Sequence, residues 1–229
     1  MQIHGLQKLT LLDYPGKVAC TVFIAGCNMR CPFCHNFELV EHIPQAVCDD
    51  GELISFLEKR KGMLDGVCLT GGEPLLNPGC LELMGRIKEM GYALKLDTNG
   101  TSPEKLAHVM ERGLADYVAM DIKNSRDRYA LTAGLESFDI SPVEECVKML
   151  IGGNTDYEFR TTVVRELHDV ESFRDIAELC AGAKRFVLQG FVDRDTVRYS
   201  GLSSPGMEEL ELYKAVLSGT IGDVSIRGV

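Results

Sequence analysis

Short apolar runs recur along the chain, each separated from the next by a stretch of helical periodicity. That alternation constrains the fold more than any other feature. VACTVFIAG (18–26), GVCLTGG (66–72), YALKLDTNG (92–100), ADYVAMDIK (115–123), YEFRTTVV (157–164), KRFVLQGF (184–191) and DVSIRGV (223–229) read as strands. They are rich in Val, Ile, Phe and Thr and too continuous to be half exposed. Between them lie amphipathic stretches such as ELISFLEKRKGM, GCLELMGRIKEMG, SPEKLAHVMERG and VESFRDIAELCAG. Ser102-Pro103 and Ser141-Pro142 each read as a cap followed by a proline in the first turn. Repeated strand–helix units require right-handed crossovers and a parallel sheet with helices outside. The expected fold is α/β, a partial (β/α)6 barrel. No repeat, low-complexity tract or linker divides the 229 residues, so one domain spanning 1–229 is expected.

In such sheets the chemistry gathers at the C-terminal ends of the strands. GCNMRCPFCHN (26–36) follows the first strand and brings Cys27, Cys31 and Cys34 into one loop. The other six of the nine cysteines, Cys20, Cys48, Cys68, Cys80, Cys146 and Cys180, are scattered. Most have apolar neighbours and behave as small hydrophobes, which points to a reducing compartment and no disulfide framework. No apolar run reaches membrane-span length, and the N-terminus lacks a signal-peptide core, so a cytoplasmic protein with no membrane association is expected. A net charge of −10 argues against nucleic acid as a partner.

Three thiols in one loop allow two readings. A zinc site would complete its tetrahedron with His35 or a distant cysteine, although the usual second pair of ligands is missing. An iron–sulfur cluster would use the thiolates on three irons and leave one iron open. Gly71-Gly72-Glu73-Pro74 and Asp97-Thr98-Asn99-Gly100 each end a strand and are also ordinary turn sequences. Asp97 and Asp121 would end neighbouring strands, where two carboxylates repel unless a cation lies between them. Lys123 and Arg160 have apolar neighbours on strands of their own. The loop 124–142 carries Arg126, Arg128 and Tyr129 and reads as a cationic docking loop, while His42, His108 and His168 read as surface residues.

CNMRCPFC resembles the CxxxCxxC signature of radical S-adenosylmethionine (radical SAM) enzymes. GGEP (71–74), DTNG (97–100), DIK (121–123) and an arginine on the next strand follow in the same order. The resemblance runs from DYPGK (13–17) to the strand at 184–189. Within that superfamily the chain is most similar to the activases of glycyl-radical enzymes, the group that serves anaerobic ribonucleoside-triphosphate reductase and pyruvate formate-lyase. The resemblance implies a 4Fe–4S cluster on Cys27, Cys31 and Cys34, whose open iron takes S-adenosylmethionine. It assigns Gly71, Gly72 and Glu73 to the cofactor's ammonium, Lys123 and Arg160 to its carboxylate and ribose, and Phe33 and His35 to its adenine. Thr98 and Asn99 complete the cofactor set. It also makes Asp97, Thr98 and Asp121, with the Ala119 carbonyl, candidate ligands of a monovalent cation. No side chain is assigned as a catalytic acid or base. Residues 37–65 hold only Cys48, so a second cluster is not expected. The implied reaction is anaerobic. Electrons come from a low-potential donor such as flavodoxin or ferredoxin, and the protein substrate is a glycyl-radical enzyme. The alternatives are a radical SAM enzyme acting on a small molecule, as 7-carboxy-7-deazaguanine synthase does, and a zinc-binding or redox module.

Overall fold

The computed structural model describes residues 1–228. It forms two compact units. The first holds Met1–Asn28, Glu38–Thr98 and Glu104–Val118. The second holds Met29–Phe37, Asn99–Pro103 and the chain from Ala119 onward.

In the first unit the chain runs β1 (Gln2–Ile3), β2 (Gly5–Thr10), β3 (Ala19–Ile24), α1 (Glu38–Glu41), β4 (Cys48–Asp49), α2 (Asp50–Lys59), β5 (Gly66–Gly71), α3 (Cys80–Glu89), β6 (Ala93–Thr98) and α4 (Pro103–Glu111). The main strands lie in the order β2-β3-β5-β6. β3, β5 and β6 are parallel, in register from Ala19↔Gly66 and from Gly66↔Ala93. Val22, Ile24, Val67, Leu69, Leu94 and Leu96 are fully buried against Leu53, Leu57, Met84, Ile87 and Leu106. Each such side chain contributes roughly 1.5–3 kcal/mol on leaving water. Asp49 and Glu52 close a reciprocal capping box at the start of α2, which fixes where that helix begins.

β7 (Tyr117–Asp121) leads into the second unit, which continues through α5 (Tyr129–Ala133), α6 (Ser141–Gly152), β8 (Asp156–Val163), α7 (Val170–Leu179), β9 (Arg185–Gly190), α8 (Met207–Leu217) and β10 (Asp223–Arg227). Its strands lie in the order β7-β8-β9-β10, and β8, β9 and β10 pair in parallel. Phe159, Phe186 and Leu188 form the core with Val147, Leu150 and Ile176, and Phe173 stacks on Tyr213 at 4.4 Å.

Every expected strand is present, and the strands are mostly parallel, as the alternation requires. Val229, the last residue of the expected final strand, lies outside the described residues. Other features differ. β2 pairs antiparallel with β3 (Gly5↔Phe23, Leu6↔Val22), and β1 pairs antiparallel with β4; both involve short, largely polar segments with no strand signature. The 124–142 segment contains the short helix α5. At α6, Ser141 is no capping acceptor: its amide and hydroxyl donate to Asp139 Oδ1 at 3.0 and 2.7 Å.

Candidate active site

In the first unit, the end of β5 forms a seat. Gly71 has φ +118°, and a Cβ there would meet the Ile24 carbonyl oxygen at 2.4 Å. A Cβ on Gly72 would meet the Gly26 oxygen at 2.1 Å and Cys27 Cβ at 3.3 Å, so both positions exclude a side chain. The Glu73 amide donates to the Gly26 carbonyl at 2.8 Å, seating the start of the cysteine loop on the GGEP turn. Glu73 is fully buried, and its Oε1 accepts the Leu75 amide (3.1 Å) and the Thr98 hydroxyl (2.9 Å). Burying a carboxylate is costly unless donors meet it, and these donors come from the turn after β5 and the end of β6.

On β6, Lys95 is 3% exposed, and its Nζ stands 2.5 Å from Asp97 Oδ1. Residues two apart on a strand share a face, so the pair is a direct consequence of the sequence LKLDT. In register beside Lys95 is Cys68, and beside Cys68 is Thr21. The Thr21 hydroxyl donates to Asp13 Oδ2 at 2.5 Å, and the Cys68 thiol donates to the Asp13 carbonyl at 3.2 Å.

In the second unit, Met29–Phe37 carries Cys31 and Cys34. Cys31 is buried, and its carbonyl accepts the Cys34 amide at 3.1 Å. The Arg30 amide donates to the Ala133 carbonyl at 2.8 Å. Gly134, at φ +69°, closes α5 so tightly on this segment that a Cβ would meet the Arg30 oxygen at 2.0 Å. Phe33 is buried. The His35 ring stacks on Phe191 at 5.7 Å and 7°, and its Nε2–H donates to the Val192 carbonyl at 2.7 Å. Asn99 is buried, and its Oδ1 accepts the amide (3.0 Å) and hydroxyl (2.7 Å) of Thr101.

Asp121, Lys123 and Arg160 form one ion cluster. Arg160 places Nε and Nη2 at 2.9 Å from Asp121 Oδ1, and Lys123 Nζ is 3.0 Å from Oδ2. Burial works against the Asp121 charge, but Arg160 and then Lys123 outweigh it and hold the carboxyl at about 2. Burial likewise opposes the Lys123 charge and is overcome, chiefly by Asp121, so its pKa is raised. All three groups stay charged across the physiological range.

Two expectations are corrected. His168 is 4% exposed rather than a surface residue. Its Nδ1 accepts the Val164 amide at 3.1 Å, its Nε2–H donates to the Lys123 carbonyl at 2.8 Å, and burial pushes its pKa down. His42 and His108 are exposed, as expected. The 124–142 segment presents its cations already paired with carboxylates rather than as a free group. Arg126 bonds Glu144 at 2.7 Å and Asp175 at 2.6 Å, Arg128 reaches Asp169 at 2.9 Å, and Tyr129 is buried against Phe138. Nothing in the sequence marked His168 or Lys95, because neither belongs to a motif. The stack of His35 on Phe191 links segments too distant for spacing to reveal.

None of the nine cysteines is joined in a disulfide. Cys20, Cys68, Cys80, Cys146 and Cys180 are buried, and burial pushes the first three up to about 12, far from the thiolate a metal needs. Burial also raises Cys34, against the pull of Lys123. Among the described residues no three His, Cys, Asp or Glu side chains converge as one ion would require. The residues fit a three-thiolate cluster by their chemistry: uncrosslinked thiols in one loop, whose start is held on a glycine cradle. No helix is long and apolar enough to cross a membrane.

The radical SAM superfamily profile matches residues 21–179. A protein of Methanocaldococcus jannaschii described as a "Putative glycyl-radical enzyme activating enzyme" is 30% identical over 99% of this chain and 96% of its own length. The pyruvate formate-lyase-activating enzyme of Clostridium pasteurianum is 31% identical over 55% of this chain and 54% of its own. Among solved structures, a domain of the pyruvate-formate lyase-activating enzyme from Bacteroides vulgatus superposes with a TM-score of 0.57 at 18% identity, covering 71% of this chain and 99% of that one.

Proposed function

The chain belongs to the radical SAM superfamily, whose members use a 4Fe–4S cluster and S-adenosylmethionine, and from that premise we propose that its 229 residues act as one catalytic domain that activates a glycyl-radical enzyme. The partner we favour is anaerobic ribonucleoside-triphosphate reductase, and the electron donor a low-potential flavodoxin or ferredoxin. The observation that carries the reading is the seat of the cysteine loop on Gly71-Gly72-Glu73, where neither glycine has room for a Cβ. The near full-length likeness to an activating enzyme supports the choice of a protein substrate. When bound, the reduced cluster and S-adenosylmethionine supply a 5′-deoxyadenosyl radical that takes a hydrogen atom from a glycine Cα of the partner.

The chain's own residues bind and orient. Cys27, Cys31 and Cys34 would hold the cluster by their three thiolates. Glu73, buried and held by the Leu75 amide and the Thr98 hydroxyl, would offer a carboxylate to the cofactor's ammonium, and Gly71 and Gly72 expose backbone beside it. Lys123, held charged by Asp121, and Arg160 would meet the carboxylate and ribose. Phe33 and His35 flank the adenine, the His35 ring being fixed by Phe191 and Val192. Thr98 orients Glu73, and Asn99 shapes the turn beyond it. Anaerobic reconstitution tests this. The wild type should hold ~4 irons per chain and release 5′-deoxyadenosine on reduction. Ala at Cys27, Cys31 or Cys34 should abolish both. Stoichiometric zinc with no iron after anaerobic preparation would overturn the reading.

A further inference from the structure

The carboxylates expected to hold a monovalent cation already carry ammonium and guanidinium groups of the chain. We infer that Lys95 does the work of an ion at Asp97, and that Lys123 and Arg160 do it at Asp121, so that cofactor binding here needs no added monovalent cation. The inference rests on the proposed role of these strand ends in holding S-adenosylmethionine.

Lys95 is the decisive residue. A lysine in the middle of a buried parallel strand is unusual, since long charged side chains are almost never fully buried unless paired. Its side chain is 3% exposed, that of Asp97 is 17% exposed, and Nζ stands 2.5 Å from Oδ1. Its strand neighbours in register, Cys68 and then Thr21, offer a thiol and a hydroxyl that both donate to Asp13. The positive charge in this row is therefore Lys95 itself. A metal cation at Asp97 would have to share the carboxylate with an ammonium already at bonding distance. In a site with little water to screen them, two cations so placed repel.

The same holds independently in the second unit. Both oxygens of Asp121 are occupied, Oδ1 by Nε and Nη2 of Arg160 and Oδ2 by Lys123. A hard cation needs several converging oxygen ligands, and each candidate carboxylate here faces nitrogen donors. Unlike a dissociable ion, a tethered ammonium is present at any salt composition, so mass action does not govern it.

The test compares S-adenosylmethionine affinity, by anaerobic calorimetry on the reconstituted protein, in tetramethylammonium buffer and in potassium or sodium buffer. The wild type should bind equally well in each. Lys95→Met should bind roughly tenfold more weakly in tetramethylammonium, about the effect of losing one charge partner, and recover when potassium or sodium is added. The double variant Lys95→Met/Asp97→Asn removes both charges, so it keeps the fold if the single variant does not, and its affinity should again ignore the cation. Potassium-dependent binding by the wild type would overturn the inference. So would a Lys95→Met protein with wild-type affinity in every buffer, which would leave Lys95 a purely structural residue. Absence of binding by iron-loaded wild type in all buffers is a separate result: it would overturn the cofactor site itself, and this inference with it.

Discussion

Asp121 carries a cation on each of its oxygens, and that arrangement sets what single substitutions should do. Removing Arg160 leaves the carboxylate with Lys123 alone. Breaking a well-buried pair costs about 3–5 kcal/mol; with Asp121 31% exposed, a loss of about 1–3 kcal/mol is expected for Arg160→Ala, read by chemical denaturation. The same variant should lose S-adenosylmethionine binding while retaining its iron, and normal affinity would return Arg160 to a structural role. The carboxyl's folded value of about 2 lies below its ordinary 3.8. The pairing is thus fully present above 3.8 and lost only as pH falls through about 2, so it supplies no pH dependence near neutrality. His168 behaves in the opposite way. Burial lowers its pKa from 6.5, so the unfolded chain takes up the proton first, and stability falls as pH drops below 6.5. His168→Gln should be less stable at pH 7, since the Lys123 carbonyl and Val164 amide lose good partners, by about 1–3 kcal/mol. Its stability should also fall less steeply from pH 7 toward 5.5. An unchanged slope would show that another group titrates there.

At the scale of elements, the contact between α5 and the cysteine segment is the most exacting. Gly134→Ala puts a methyl 2.0 Å from the Arg30 oxygen at a residue with φ +69°, so backbone next to Cys31 must move. We expect reduced iron content on reconstitution. Gly85→Ala, inside α3 with nothing within 4 Å of the new methyl, should instead stabilise by about 0.5–1 kcal/mol and leave iron unchanged. Equal iron in the two variants would remove α5 from the account of the loop. The helices and parallel strands were legible because each strand is a continuous apolar run and each helix has a marked period. β2 was not, because GLQKLT leaves three residues exposed and lies at the end of its strand order. α5 was not, because five residues give too short a period to read.

For the molecule as a whole, the motifs placed the candidate site at strand ends, since turn glycines and cysteine spacing are local signals. What they could not convey is how charges are paired off. Lys95 looks like a misplaced surface residue in a strand, and the arginines of the 124–142 segment look free, until Asp97, Glu144, Asp169 and Asp175 are found beside them. The central claim is that this chain uses its three-cysteine loop to place a radical on a glycine of another protein. Electron paramagnetic resonance of a reconstituted mixture with anaerobic ribonucleoside-triphosphate reductase tests it most directly. We predict a glycyl doublet on the partner that collapses when its glycines carry deuterium at Cα and is missing with Cys31→Ala. Release of 5′-deoxyadenosine with no protein radical on this or any other glycyl-radical enzyme would contradict the claim and point to a small-molecule substrate.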